Sequence, residues 1–177
     1  MRIIVVDNYE ELSKRAAKMI TSQVILKPDS VLGLATGDTP LGMYKELIKL
    51  YKKNEVDFNE VRTFNLDEYY GLPESNDQSY HYFMNEHLFK HVNILKENIH
   101  IPNGMASDIE AECANYDAAI ANSEGIDIQV LGIGNNAHIG FNEPTILFEK
   151  GTHVVELDES TREANARFFN SLEEVPK

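Results

Sequence analysis

Cysteine is almost missing from the 177 residues, since Cys113 stands alone, and tryptophan is absent altogether. A lone thiol forms no intramolecular disulfide and makes no Cys/His pairing of the zinc type, so folding must rest on an apolar core. Long apolar runs are also lacking. No stretch approaches the roughly 20 residues that cross a bilayer, and the apolar residues 3–6 are too few for a signal-peptide core, so the expected compartment is cytoplasmic, with no membrane partner. Cations are scarce, with 16 Lys and Arg against 29 Asp and Glu and a net charge of −13. A polyphosphate is bound by clustered cations that displace its counterions, so this balance argues against nucleic acid as a partner. No Gly-x-Gly-x-x-Gly follows the first apolar run and no Walker-type Gly-Lys-Ser/Thr occurs, which removes two nucleotide-binding classes. What is present is 42% hydrophobic and 25% charged residues, with no low-complexity tract, repeat or linker. This predicts one domain over residues 1–177, able to bury roughly 70% of the surface its unfolded chain exposes.

Apolar runs alternate with amphipathic stretches. Residues 3–6 read as a buried strand, and Leu12, Ala16, Met19, Ile20 and Val24 follow at helical spacing. Further strands are expected at 31–34, 61–65, 99–101 and 126–131, and 153–157 is a candidate. Helices are expected around Tyr44 to Tyr51, over 108–121 and over 160–169. The alternation predicts an α/β protein, a Rossmann-like open, mostly parallel sheet with helices on both faces. Ligands in such a sheet collect beyond the C-terminal ends of the strands, which points to three loops.

The first loop, Ala35-Thr36-Gly37-Asp38-Thr39-Pro40, offers free N–H groups and hydroxyls to a phosphate, or is an ordinary turn with Thr39 as N-cap and Pro40 at the first helical position. The Asp38 carboxylate argues against phosphate by repulsion. The second, Phe64 to Gly71, sets Asp67 beside Glu68. Adjacent side chains diverge, so one of the two faces a pocket as a proton-transfer base, or both belong to a solvated turn. Tyr69 and Tyr70 either wall a sugar site or pack. The third carries Gly132, Gly134, Asn136, His138 and Glu143; its histidine either shuttles a proton with a neighbour fixing its tautomer or bonds a local carbonyl. The other histidines show no metal-ligand pattern, and His87 and His91, four apart on an expected helix, read as a surface face. Arg162 and Arg167 are each a candidate phosphate clamp or surface ion-pair partner.

Taken in order, these segments resemble the glucosamine-6-phosphate deaminase family, also called glucosamine-6-phosphate isomerase. The carriers are Leu32-Gly33-Leu34-Ala35-Thr36-Gly37 with Thr39-Pro40, Phe64-Asn65-Leu66-Asp67-Glu68-Tyr69 with Gly71-Leu72, Ser79-Tyr80, and Ile101-Pro102-Asn103-Gly104. Leu131-Gly132-Ile133-Gly134, His138 to Pro144, and Thr161-Arg162, Ala164-Asn165 and Arg167-Phe168-Phe169 complete the set. The resemblance implies conversion of glucosamine 6-phosphate and water to fructose 6-phosphate and ammonia in amino-sugar catabolism, without metal or other cofactor. It implies His138 for ring opening, Glu143 and Asn136 orienting it, and Asp67 moving the proton from C2 to C1. It also implies that Gly37, Thr39 and Arg167 hold the phosphate, that Ala35 and Thr36 line the sugar, and that Glu68 stands one layer back.

This sequence departs from the family at Asn136, where better-studied members carry Asp, at Asp38, where Gly is usual, and at His153, where regulated forms carry Arg. Related chains also continue past Val175-Pro176-Lys177 into a strand, helix and strand with a further phosphate-binding Lys. Without that segment an open sheet edge favours a homo-oligomer. The readings that compete are a 6-phosphogluconolactonase-like hydrolase and a non-catalytic sugar-phosphate-binding module.

Overall fold

The computed structural model describes residues 1–134, 136–144 and 149–176; Lys177 of the Val175-Pro176-Lys177 segment lies outside them. Four strands, β1 (Val31–Leu34), β2 (Arg62–Asn65), β3 (Ile99–His100) and β4 (Ile128–Gln129), form one sheet of order β3-β2-β1-β4, every pair parallel. Among the described residues five α-helices accompany them: α1 (Tyr9–Leu26), α2 (Leu41–Lys52), α3 (Tyr80–His87), α4 (Ile109–Asn122) and α5 (Glu159–Asn165). The fold class read from the sequence is the one observed.

Alternation along β1 sends its side chains to two cores. Leu32 and Leu34 join Ile20, Val24, Tyr44, Leu47 and Met84 of α1, α2 and α3 on one face. Val31 packs with Phe64 and with Tyr116 of α4 on the other. Helices therefore cover both faces of the central strand β1, which is buried throughout, as parallel pairing favours.

The buried stripe of α1 is Ser13, Ala17, Ile20, Thr21 and Val24, rotated from the apolar positions that periodicity selects; Leu12 and Met19 stay exposed. Small residues cause the rotation. A β-carbon on Gly42 of α2 would stand 2.1 Å from Ser13 Oγ, so the two helices meet where their side chains are smallest.

Three expectations fail. Residues 3–6 form no strand, and Ile3 and Val5 are 75% and 88% exposed; a strand exists only by pairing, and no strand of the described residues pairs with them. Residues 153–157 also stay outside the sheet, and their approach is set by Asp117 of α4, whose carboxylate accepts from the Thr152 N–H at 3.0 Å and hydroxyl at 2.6 Å. His87 and His91 do not share a helix: α3 ends at His87, Leu88 leaves the helical region at φ −143°, and His91 closes a separate 3-10 turn.

Candidate active site

The ends of β1, β2 and β4 open into one cavity of about 470 Å³, a volume suited to a small polar metabolite. It lies where the strand order reverses, with β2 to one side of β1 and β4 to the other.

From β1 come Ala35 to Thr39, all lining the cavity. Gly37 turns the chain at φ 96°, left-handed backbone that glycine adopts without strain. Pro40, at φ −77°, precedes the first residue of α2 and no side chain caps the helix, so Thr39 is not the N-cap of the simple-turn reading. The turn is held from outside. Tyr9 of α1 places its hydroxyl 3.1 and 2.9 Å from the carbonyls of Asp38 and Thr39 and accepts the Gly42 N–H at 2.8 Å. From within, the Tyr44 hydroxyl donates to the Ala35 carbonyl.

The two acids after β2 part company. Asp67 faces the cavity, where burial first, and the Glu68 charge second, push its carboxyl up to about 7. Glu68 turns the other way, 1% exposed in its side chain. It accepts the N–H groups of Tyr69, Tyr80 and His81 at 2.8, 2.9 and 3.0 Å and meets His81 Nδ1 at 2.9 Å. Tyr69 and Tyr80 wall the cavity with Phe141 and Phe169, whereas Tyr70 is exposed. Burial raises the Tyr69 phenol to about 12 and Tyr80 well above its ordinary value, so both remain neutral donors. Asn165 steadies Tyr69, its Nδ2 donating to the hydroxyl at 2.9 Å. The Tyr116 hydroxyl reaches the carbonyls of Asn65 at 2.8 Å and His100 at 3.1 Å, fixing the strand end from which Asp67 departs.

The loop after β4 folds His138 back onto Gly134. Ala137 adopts φ 72°, and the Ala137 N–H donates to the Gly134 carbonyl while Gly134 donates to that of His138, both at 2.9 Å. The His138 ring lines the cavity, with its Nδ1 3.7 Å from Glu143 Oε2. Asn136 Nδ2 donates to that same oxygen at 2.7 Å, and Asn136 Oδ1 accepts the His138 backbone N–H at 3.2 Å. Burial works to raise the Glu143 carboxyl, but Thr161, Asn136 and His138 together hold it below its ordinary range. Arg167 completes the rim, its Nη2 donating to Asp38 Oδ2 at 2.9 Å.

Residues 7–171 match the family described as glucosamine-6-phosphate isomerases/6-phosphogluconolactonase. The chain belongs to that family. A glucosamine-6-phosphate deaminase of Clostridium botulinum (strain Alaska E43 / Type E3) is 66% identical over 176 residues, 99% of this chain and 71% of the relative. One of Clostridioides difficile (strain 630) is 66% identical over all of this chain and 71% of its own. A solved monomeric glucosamine-6-phosphate deaminase superposes with a TM-score of 0.97 at 48% identity, covering this chain entirely and 73% of that one. A 6-phosphogluconolactonase from Thermotoga maritima is more distant, with a TM-score of 0.66 at 26% identity over 79% of this chain and 63% of its own.

In this member of the glucosamine-6-phosphate isomerase/6-phosphogluconolactonase family, Ala35, Thr36, Gly37, Asp38, Thr39, Asp67, His138 and Arg167 meet at one cavity. Asn136 and Glu143 stand behind His138, and Asn136 touches its backbone rather than its ring, the hydrogen-bond partner expected from sequence. Arg162 is not at the cavity; its Nη2 donates to the carbonyls of Leu172 and Val175. Asn165 and Tyr80 line the site without having been assigned a role from sequence. Their signal was only their place in the motifs, because each acts through contacts across 96 and 12 residues, with Tyr69 and Glu68 respectively.

Proposed function

We propose that the chain is a glucosamine-6-phosphate deaminase, converting glucosamine 6-phosphate and water to fructose 6-phosphate and ammonia. The observation that carries the reading is Asp67. Its carboxyl titrates near neutrality at the floor of a cavity that also receives His138, and a proton-transfer base works best with its pKa near the operating pH. His138 takes the C1 hydroxyl proton and returns one to the ring oxygen as the pyranose opens. Glu143 lies close enough to favour the imidazolium formed in between. Asp67 then removes the C2 proton to give the enolamine and delivers a proton to C1. Water replaces the amine at C2, ammonia leaves, and the ketose results. Thr39, the backbone around Gly37, and Arg167 hold the phosphate, with Ala35 and Thr36 along the sugar.

The reading extends to an amino-sugar catabolic role in the cytoplasm, performed by residues 1–177 as one domain without metal or redox cofactor. No described helix is long and apolar enough to cross a membrane. Among the described residues β4 is the outer strand on one side of the sheet, and a homo-oligomer that pairs there is part of the reading. The test is release of fructose 6-phosphate and ammonia from glucosamine 6-phosphate, with Asp67→Asn as control. Equal amounts of both products, lost in the variant, are expected. Lactone hydrolysis without ammonia would favour the 6-phosphogluconolactonase reading, and tight sugar-phosphate binding without turnover the binding-module reading.

A further inference from the structure

Glu68 is the most thoroughly engaged carboxylate of the site, and it does not line the cavity. Its side chain is 1% exposed, and its oxygens meet three backbone N–H groups and the His81 ring between 2.8 and 3.0 Å. Two of those N–H groups belong to the first turn of α3, whose positive end of the helix dipole suits an anion. His81 in turn has Nε2 3.6 Å from Glu74 Oε1. The chain closes over the carboxylate: a β-carbon on Gly104 would lie 2.3 Å from the Tyr69 carbonyl and 3.3 Å from Glu68 Cγ, and the Gly71 N–H donates to the Gly104 carbonyl at 2.7 Å. A plain helix cap needs a short polar side chain and no burial. Ser79 already performs that task for α3, accepting the Tyr82 N–H at 3.1 Å.

We propose that Glu68 is a positioning residue for the proton transfer, fixing the directions in which Asp67 and Tyr80 enter the cavity and keeping a buried negative charge beside the Asp67 carboxyl. Its neighbour in the chain, Asp67, is thereby turned inward, since Glu68 is pinned on the opposite side. Tyr80 follows because its N–H is one of the pins. The groups facing the pair are Glu74 and His81 around Glu68, and the phenols of Tyr69, Tyr80 and Tyr116 around Asp67. The Glu68 charge adds to burial in raising the Asp67 carboxyl, so removing it leaves burial to hold the proton. This inference rests on Asp67 being the proton-transfer base of the proposed function.

Two variants separate charge from position. Glu68→Gln keeps length and one acceptor oxygen but loses the charge. The acid limb of its kcat/KM profile is expected to move down by about half a unit to one unit, with KM within about twofold because the β1–α2 turn is untouched. Glu68→Asp keeps the charge but falls short of the α3 N–H groups. Its limb is expected to stay in place while kcat drops by about tenfold or more. Carboxyl NMR titration of Asp67 in the wild type and Glu68→Gln gives the same comparison without turnover. An unmoved limb and an unmoved Asp67 titration in Glu68→Gln overturn the inference. If Glu68→Gln does not fold, undiminished kcat in Glu68→Asp overturns it alone. Full turnover in Asp67→Asn would instead remove Asp67 as the base, leaving the deaminase activity standing and taking away the ground of this inference.

Discussion

The His138 imidazole lies so close to Gly134 that a β-carbon there would stand 2.2 Å from Nε2. The glycine is thus part of the histidine's seat rather than a flexible joint. Gly134→Ala should displace the ring and lower kcat by on the order of 10²-fold, the cost of misplacing a catalytic group by about an ångström. The fold should persist, because residues 131–134 lie beyond the last strand. A melting curve beside the kinetics checks this, and a fully active Gly134→Ala enzyme would contradict the seat.

Asp67 titrates at about 7 against an ordinary 3.8, with two consequences of known sign. As a base it must be ionised, so kcat/KM should fall as pH drops through about 7, and Asp67→Asn should cost roughly 10²- to 10⁴-fold. Between 3.8 and about 7 the native protein retains a proton that the unfolded chain has released, so this group makes stability decline as pH rises across that window. Asp67→Asn should therefore flatten the decline, as urea unfolding at pH 5 and pH 8 would measure. A variant losing as much stability as the wild type between those values would show Asp67 to be unperturbed.

Asn136 shares Glu143 Oε2 at 2.7 Å. Asn136→Asp would bring two carboxylates to that separation, where both cannot stay ionised without cost, and would add negative charge near His138. The His138 imidazole, followed by NMR titration, should keep its proton to a pH about one unit higher in the variant than in the wild type. No movement would count against the route from Asn136 through Glu143 to the imidazole.

Asp38 holds the Arg167 guanidinium at 2.9 Å, both side chains being well exposed at 60% and 65%. A phosphate arriving at Arg167 must share it with a carboxylate already in place. Exposed pairs contribute little, so Asp38→Gly should lower the KM for glucosamine 6-phosphate by about two- to fivefold, less at high salt. Arg167→Gln should raise it. An unchanged KM in Asp38→Gly would mean that the pair opens at no cost.

Strand and helix order was legible because β1 is a short apolar run buried throughout, Val61 and Phe64 mark β2, and α1 and α2 carry helical spacing. Residues 3–6 show the limit of that reasoning. Their composition is right for a strand, but pairing is a property of the partner. The three loops were legible by their place at strand ends, and Gly37 by the turn it permits. Illegible were the contacts between elements distant in sequence. That Glu68 turns away to α3 while Asp67 turns in depends on Tyr80 and His81, and that Asp38 meets a cation depends on Arg167, 129 residues away. The rotation of α1 onto Gly42 was hidden for the same reason, since small residues carry no hydrophobic signal.

The Tyr9 hydroxyl, bound to the carbonyls of Asp38 and Thr39 and to the Gly42 N–H of α2, makes the start of α1 a strut for the cavity wall. Any ligand that stiffens the turn must also quiet the first coil of α1. Occupancy of the site is then readable outside the cavity, as slowed amide exchange around Glu11 and Leu12 in the turn of α1 that Tyr9 begins.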